Sequence, residues 1–338
     1  MKYYLTKCYH GGMNAGNKAK MDIEASLAEM GFRAVGIYSY NRRNSLWAFL
    51  LNLVGVCSLL FVIRKGDTVV VQYPYKKFYA WACWLIHLKG GQTVTVIHDL
   101  GAFRRKKKSI AKEIGLLNRS DGLVVHNDSM KAWLQDHGLN RPMECLEVFD
   151  YLSDTENLVP RNWDNGCVKV MYAGALSFQK NAYLYNIADF MKGWQLELYG
   201  KGFEVARINK ERDFHYHGFV ASDELIACCD AHFGLVWEGD SPDTCRGSFG
   251  EYLALNNPHK LSLYIRCGLP IIIWKEAAMA PFVLANGLGV AVGSLKELND
   301  LLPTLTANQY EEMRKNVSRI GGLLKSGFYA KKHIDGCV

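Results

Sequence analysis

The densest cluster of chemically able residues is Trp237-Glu238-Gly239-Asp240-Ser241, followed by Gly250-Glu251-Tyr252-Leu253 and Asn256-Asn257-Pro258-His259-Lys260. Pro258 suits the first position of a helix, with Asn257 as its cap. His259 and Lys260 then fall in the first helical turn. Two cations beside the positive end of a helix dipole are unfavourable unless an anion binds there. A diphosphate would resolve that conflict; an ordinary cap with solvated charges is the plainer alternative.

Glycines at strand ends extend the pattern. Tyr172-Ala173-Gly174, with Lys180 at the next helix start, and Tyr199-Gly200 both place a glycine where a strand gives way. Gly16 belongs to a similar loop, His10-Gly11-Gly12-Met13-Asn14-Ala15-Gly16. Glycine lets backbone N–H groups approach a phosphate or a sugar ring, although each loop alone also reads as a plain turn. In the first half, His98-Asp99 and His126-Asn127 each end an apolar run. A carboxylate there can accept a proton from an attacking hydroxyl. That makes Asp99 the candidate general base, with His98 and His126 on the acceptor side; loop hydrogen bonds and caps are the plain alternative for both histidines.

These residues need a scaffold. Apolar or β-branched runs at 3–6, 34–38, 68–72, 93–97, 122–125 and 144–149 alternate with helical stretches at 18–30, 46–63, 78–88, 109–118 and 129–137. Alternation of this length means βαβ units around a parallel sheet. A polar, aperiodic stretch holding Pro160 interrupts it. The pattern then restarts with strands at 168–172, 195–199, 214–216, 233–236, 270–273 and 289–292, and with helices including 181–191, 222–229, 258–267 and 308–324. The expected organisation is α/β: a Rossmann-like domain over 1–155, a linker over 156–166, a second Rossmann-like domain over 167–325 and a tail over 326–338. Two doubly wound halves then face each other across a cleft. Ligands bind such sheets at the carboxyl ends of the strands.

Composition sets limits. The chain has 338 residues, 49% hydrophobic, with 40 Lys+Arg against 33 Asp+Glu, a net charge of +7. That excess suits an anionic ligand or membrane surface without requiring nucleic acid, and the cations are not interleaved with aromatics on one face. The 10 cysteines form no C-x-x-C pair and mostly sit in apolar runs, as buried thiols of a cytoplasmic protein do. The opening residues read as a strand rather than a signal peptide. Residues 46–63 reach the lower length of a membrane span, but a sheet strand follows at once, so a buried or membrane-contacting helix is expected. The basic run Arg104-Arg105-Lys106-Lys107-Lys108 would add attraction to anionic lipid, if it is not simply a solvated face. No G-x-x-x-x-G-K-[ST], no G-x-S-x-G, no metal-spaced Cys/His group and no D-x-D occur. Leaving-group charge would therefore fall to cations and helix dipoles.

The stretch from Gly250 through Asn256-Asn257-Pro258-His259-Lys260-Leu261-Ser262-Leu263-Tyr264 to Gly268-Leu269-Pro270 resembles the streptococcal glucosyltransferase-3-like family. Bacterial β-1,6-galactofuranosyltransferases are similar. The resemblance also takes in the N-terminal glycine-rich loop, His98-Asp99, His126-Asn127, Phe149-Asp150-Tyr151 and Tyr172-Ala173-Gly174. Where the family pattern often carries Asn-Leu, this chain has Ala175-Leu176. The resemblance implies the GT-B architecture, a homo-oligomer, and inverting hexosyl transfer from a UDP-sugar to a saccharide acceptor, with no cofactor and no bound metal. The transferred sugar would be of the glucose or galactofuranose type, in cell-surface polysaccharide or glycoprotein synthesis. By that resemblance Asn257 and Lys260 would hold the UDP diphosphate and Tyr172–Gly174 would lie beside the nucleotide; His259, in the same first helical turn, is a further nucleotide-sugar candidate. The expected location is the cytoplasm, peripherally at the inner face of the plasma membrane. A nucleotide-sugar epimerase, or a non-catalytic nucleotide-sugar-binding partner of a glycosylation complex, would share the architecture.

Overall fold

A computed structural model describes residues 1–10, 15–42, 45–105, 109–161, 163, 166, 168–208 and 214–338. The chain forms two compact units, Met1–Asp150 with Gly327–Val338, and Tyr151–Ser326.

The first unit holds strands β1 (Lys2–Leu5), β2 (Cys8–His10), β3 (Arg33–Val35), β4 (Ser39–Arg42), β5 (Thr68–Tyr73), β6 (Gln92–Ile97), β7 (Gly122–Val125) and β8 (Met143–Cys145). Six of them make a parallel sheet in the order β3-β1-β5-β6-β7-β8, while β2 and β4 pair separately. The central strands are continuous apolar runs because helices cover both faces of such a sheet. The expected strand over 34–38 ends early, at Val35. Gly36 then turns with φ +104°, and a Cβ there would stand 2.8 Å from the Thr6 carbonyl oxygen. That turn releases the chain into β4.

Helix α1 (Ala15–Glu29) buries Ala19, Ile23 and Leu27, spaced by four, against the sheet. The apolar stretch 46–63 becomes α2 (Ser45–Cys57) and α3 (Leu59–Val62), broken at Ser58, whose hydroxyl donates to Gly55 O at 2.7 Å. It is long and apolar enough to cross a membrane. On this unit it buries Ala48, Gly55, Val56 and Leu59 and exposes Leu46, Trp47, Phe49, Leu50, Val54 and Phe61. Helix α4 (Tyr79–Leu88) packs beside α3 and adds exposed Trp84 and Leu88. Residues 326–338 are not a free tail. Residues Phe328–Asp335 form a helix that sends Ala330 and Ile334 into the core of Ile23, Leu27, Val70, Val96 and Val124. Asp150 caps it, accepting from the backbone N–H of Tyr329 (3.2 Å) and Ala330 (2.6 Å).

The second unit holds β9 (Val168–Ala175), β10 (Trp194–Lys201), β11 (Phe214–Tyr216), β12 (Phe233–Val236), β13 (Ile271–Trp274) and β14 (Gly289–Val292), all parallel in the order β11-β10-β9-β12-β13-β14. The expected helix over 181–191 is instead two 3₁₀ turns, Ala182–Tyr185 and Ile187–Asp189. Local side-chain bonds hold that conformation: Asn181 donates to Ala175 O and the Tyr185 hydroxyl to Leu176 O, each at 2.7 Å. The described part of the expected linker is fastened to this unit. Asn157 donates to Ile226 O and Cys229 O, and buried Arg161 donates to Cys229 O and Cys267 O.

Candidate active site

In the second unit the strand order reverses between β9 and β12, and the ends of those two strands carry a compact charged cluster. Tyr172 lies near the end of β9, Lys180 follows it, Glu238 follows β12, and Lys260 occupies the first turn of the helix His259–Arg266. A single oxygen of Glu238, Oε1, accepts from both Lys180 Nζ and Lys260 Nζ at 2.9 Å. The Lys260 ammonium also donates to the Tyr172 hydroxyl at 2.8 Å and stands 4.0 Å from the centre of its ring. Burial alone would raise the Glu238 carboxyl. The two ammonium groups overcome it and hold that carboxyl down at about 2. Burial keeps the Tyr172 phenol well above its ordinary value, so it remains protonated. Two cations therefore share one carboxylate in a water-poor position, and the cluster carries a net positive charge suited to a phosphate.

Of the residues expected to bind a nucleotide sugar, this cluster brings together Tyr172, Lys180 and Lys260. Asn257 is buried at 4% exposure, one residue before the Pro258 that caps that helix. The cap position expected for Asn257 is taken by Pro258, whose carbonyl accepts from Leu261 N–H. His259 does occupy the first turn, with its ring tilted 31° to that of Tyr151 and the centroids 4.8 Å apart. Gly174 and Gly200 face each other in register on β9 and β10, and a Cβ on Gly200 would fall 1.7 Å from Gly174 O. These glycines permit the close approach of two strand ends. Tyr199 is not part of the cluster. Register pairs Leu198 with Tyr172, so Tyr199 points to the opposite face. There it stacks on His217 at 4.5 Å, beside buried Glu197, which also meets His215. Glu238 is the residue whose role sequence reasoning missed. The available signal was an acid placed directly after an apolar strand in a chain segment otherwise rich in glycine.

In the first unit, Asp99 lies just beyond β6, partly exposed. His98 Nε2 meets Gln72 Oε1 at 2.6 Å and the ring stacks on Phe149. His126 is 1% exposed and stands edge-on to Phe149, with Nε2 on Ile97 O at 3.1 Å. Burial pulls it down to about 3, so it is neutral at working pH and sits in the core rather than at an acceptor-facing surface. Asn127 caps the helix Asp128–Asp136 through Met130 N–H. Gly16 is in the first turn of α1; the neighbouring loop residues 11–14 lie outside the described residues, as do 106–108 of the basic run. Also missed were Lys20 and Glu24, charged residues four apart that flank the apolar stripe of α1 and end up buried. Among the described residues, no group of three or more His, Cys, Asp or Glu is arranged to hold a metal ion.

Residues 2–148 match the glucosyltransferase 3-like N-terminal domain and residues 170–336 the glucosyltransferase 3-like C-terminal domain. The chain belongs to the glucosyltransferase 3-like family. The β-1,6-galactofuranosyltransferase WbbI of Escherichia coli K12 is 29% identical over 99% of this chain and 98% of its own length. Glucosyltransferase 3 of Streptococcus gordonii is 25% identical, covering 98% and 97%. Among solved structures, the lipopolysaccharide glycosyltransferase WaaG superposes over 100% of both chains with a TM-score of 0.56 at 12% identity. The pneumococcal O-GlcNAc transferase GtfA, solved with UDP and GlcNAc, gives a TM-score of 0.51 at 14% identity, covering 86% of this chain and 59% of its own. The architecture of this family member is accordingly GT-B, and the chain is a glycosyltransferase.

Proposed function

We propose that this glycosyltransferase moves a hexosyl residue, of the glucose or galactofuranose type, from a UDP-sugar to a saccharide acceptor with inversion. The observation that carries the reading is the pair of ammonium groups on one oxygen of buried Glu238. In the free protein the carboxylate offsets only one of the two charges. A diphosphate supplies the rest, and as the glycosidic bond to UDP breaks, Lys180 and Lys260 are placed to stabilise the charge that builds on the leaving phosphate. Tyr172 positions Lys260 and offers a ring beside the nucleotide. The relative solved with UDP supports the choice of nucleotide. Asp99, in the acceptor half, takes the proton of the attacking hydroxyl. The acceptor glycan is of the kind built into cell-surface polysaccharide or glycoprotein. Leaving-group stabilisation rests on these cations, with no metal assigned to the reaction.

The reading includes a location: the cytoplasmic face of a membrane, with the exposed apolar residues of α2–α4 against lipid. Exposed Arg64, Lys65 and Lys89 flank that face and would meet anionic headgroups.

The deciding experiment compares UDP with GDP, dTDP and CMP by thermal shift and titration, in wild type and Lys260→Ala. Ligand at 100 times its Kd stabilises by about 2.7 kcal/mol, so only a bound nucleotide raises the melting temperature clearly. Lys260→Ala is expected to weaken UDP by about 10- to 100-fold, since a charged hydrogen bond to phosphate contributes roughly 1.5–3 kcal/mol. An unchanged Kd removes the cluster from the site. Incubation of UDP-glucose and UDP-galactofuranose with candidate acceptors then tests transfer directly; binding without turnover would point to a nucleotide-sugar-binding partner instead.

A further inference from the structure

The first unit holds a buried carboxylate that the transfer described above does not use. Glu113, on the helix Ile110–Leu117, is 3% exposed. Its Oε1 accepts from the Tyr73 hydroxyl at 2.7 Å and from the Gly101 N–H at 3.1 Å, and its Oε2 accepts from the Ala102 N–H at 2.7 Å. A carboxylate is costly to bury, and these charge-assisted bonds offset that cost. The donors come from two strand ends. Tyr73 is the last residue of β5, and Gly101 and Ala102 open the helix Gly101–Arg105 that follows β6. Only His98, Asp99 and Leu100 lie between β6 and that helix. Asp99 is the acid on this short path, and the chain is fixed on either side of it. Upstream, the His98 N–H donates to Tyr73 O at 2.8 Å and the His98 ring meets Gln72 at 2.6 Å. Downstream, Leu100 is fully buried and the next two N–H groups end on Glu113. Tyr73 thus holds both ends, His98 through its carbonyl and Glu113 through its hydroxyl. A five-residue helix contributes little to a fold by itself. What the buried charge secures is the path of the residues before it.

We infer that Glu113 is a positioning residue for Asp99. With Tyr73 it fixes the backbone on which the Asp99 carboxylate stands, so that this carboxylate meets the attacking hydroxyl in hydrogen-bonding geometry. This role rests on the reading of Asp99 as the general base. Both Glu113 oxygens are engaged with protein donors, so Glu113 acts through Asp99 rather than on the substrate. Misplacement of a reacting group by about 1 Å can cost about 10²-fold in rate, which sets the scale of what the anchor protects.

A double-mutant cycle on the full chain tests this, with Glu113→Gln, Asp99→Asn and the two combined. Glutamine keeps the shape of Glu113, but its NH₂ group cannot accept, so one donor is left facing another. Turnover is read as UDP released from UDP-glucose and UDP-galactofuranose, with the saccharide accepted in the transfer assay or with water as the attacking hydroxyl. Glu113→Gln is expected to lower kcat by about 10- to 100-fold, with UDP affinity and donor KM within about twofold of wild type. In the Asp99→Asn chain the same substitution should cost less than about twofold more, because the group it positions is already gone. Tyr73→Phe leaves the two backbone bonds in place; it should lower kcat by about threefold to tenfold and lose that effect in the Asp99→Asn chain. Tyr73→Phe carries the test if Glu113→Gln does not fold. Equal losses with and without the Asp99 carboxylate overturn the role, since a residue serving only the fold lowers activity in both backgrounds. Wild-type kcat in Glu113→Gln overturns it too. A readout free of turnover is the ¹³C carboxyl resonance of Asp99, assigned by its absence in Asp99→Asn. It should move in Glu113→Gln and in Tyr73→Phe, and an unmoved resonance overturns the role. Failure of the general-base reading looks different: Asp99→Asn alone would then turn over at a near-normal rate.

Discussion

Glu238 is held between two lysines by a balance that pH can tip. Its carboxyl is depressed from 4.5 to about 2 in the folded chain. A depressed carboxyl contributes stability that is fully present above the unfolded value and is lost as pH falls through the folded one. The depression corresponds to roughly 3 kcal/mol. Glu238→Gln keeps the shape and removes the charge, so urea unfolding at pH 7 should show a loss of that order. The difference from wild type should shrink between pH 5 and pH 2; a difference that stays constant across that range would remove the ion pairs from the balance. Asp99 is tested by turnover. General-base assistance contributes about 10² to 10⁴ in rate, so Asp99→Asn should cut turnover by that order while UDP affinity stays within about twofold. Near-normal turnover would pass the role to Glu251 or Asp240.

The elements place these side chains through a few tight contacts. Tyr264, on the same helix as Lys260, is fully buried, and its hydroxyl accepts from Ala173 N–H at 2.9 Å. It thereby ties that helix to the end of β9, next to Tyr172. The ring fits because β12 carries Gly234: a Cβ there would lie 2.4 Å from Tyr264 Cγ. Gly234→Ala should therefore displace the ring and cost about 1–3 kcal/mol, a typical overpacking penalty. UDP affinity should fall with it, because Ala173 and Lys260 lose their common anchor. A variant that melts lower yet binds UDP as wild type would show that β9 and the helix are positioned independently.

At the scale of the whole molecule, the chain builds two parallel sheets, the second with a charged cluster where its strand order reverses, and returns after Ser326 to finish the first unit. The first unit also carries the apolar face of α2–α4, with Phe61 87% exposed. Vesicles containing anionic lipid are expected to sediment the protein at low salt and to release part of it as ionic strength rises, because headgroup attraction is screened while apolar contact persists. No binding at low salt, together with a dimer in sedimentation equilibrium, would make this face a contact between copies of the chain.

Much of this architecture was legible along the chain because its causes are local. Alternating periodicity and glycine-ended strands announced two parallel α/β units, and Pro258-His259-Lys260 announced a helix start. Tyr172 on a strand and Lys260 in a first helical turn were legible for the same reason, whereas the helix expected after Lys180 did not form. Other features depend on residues far apart in sequence. Nothing near Glu238 reveals that Lys180 and Lys260 will meet on one of its oxygens, and nothing near Glu24 reveals that Thr6, Tyr9 and Gln72 will close around it. Tyr199 was misplaced because strand register, which is a pairing between strands, assigns its face. The terminal residues looked like a tail because a short helix shows its apolar face only against the core that receives Ala330 and Ile334. Periodicity and capping act within a few residues, whereas charge pairing, register and burial are set by neighbours that only folding supplies.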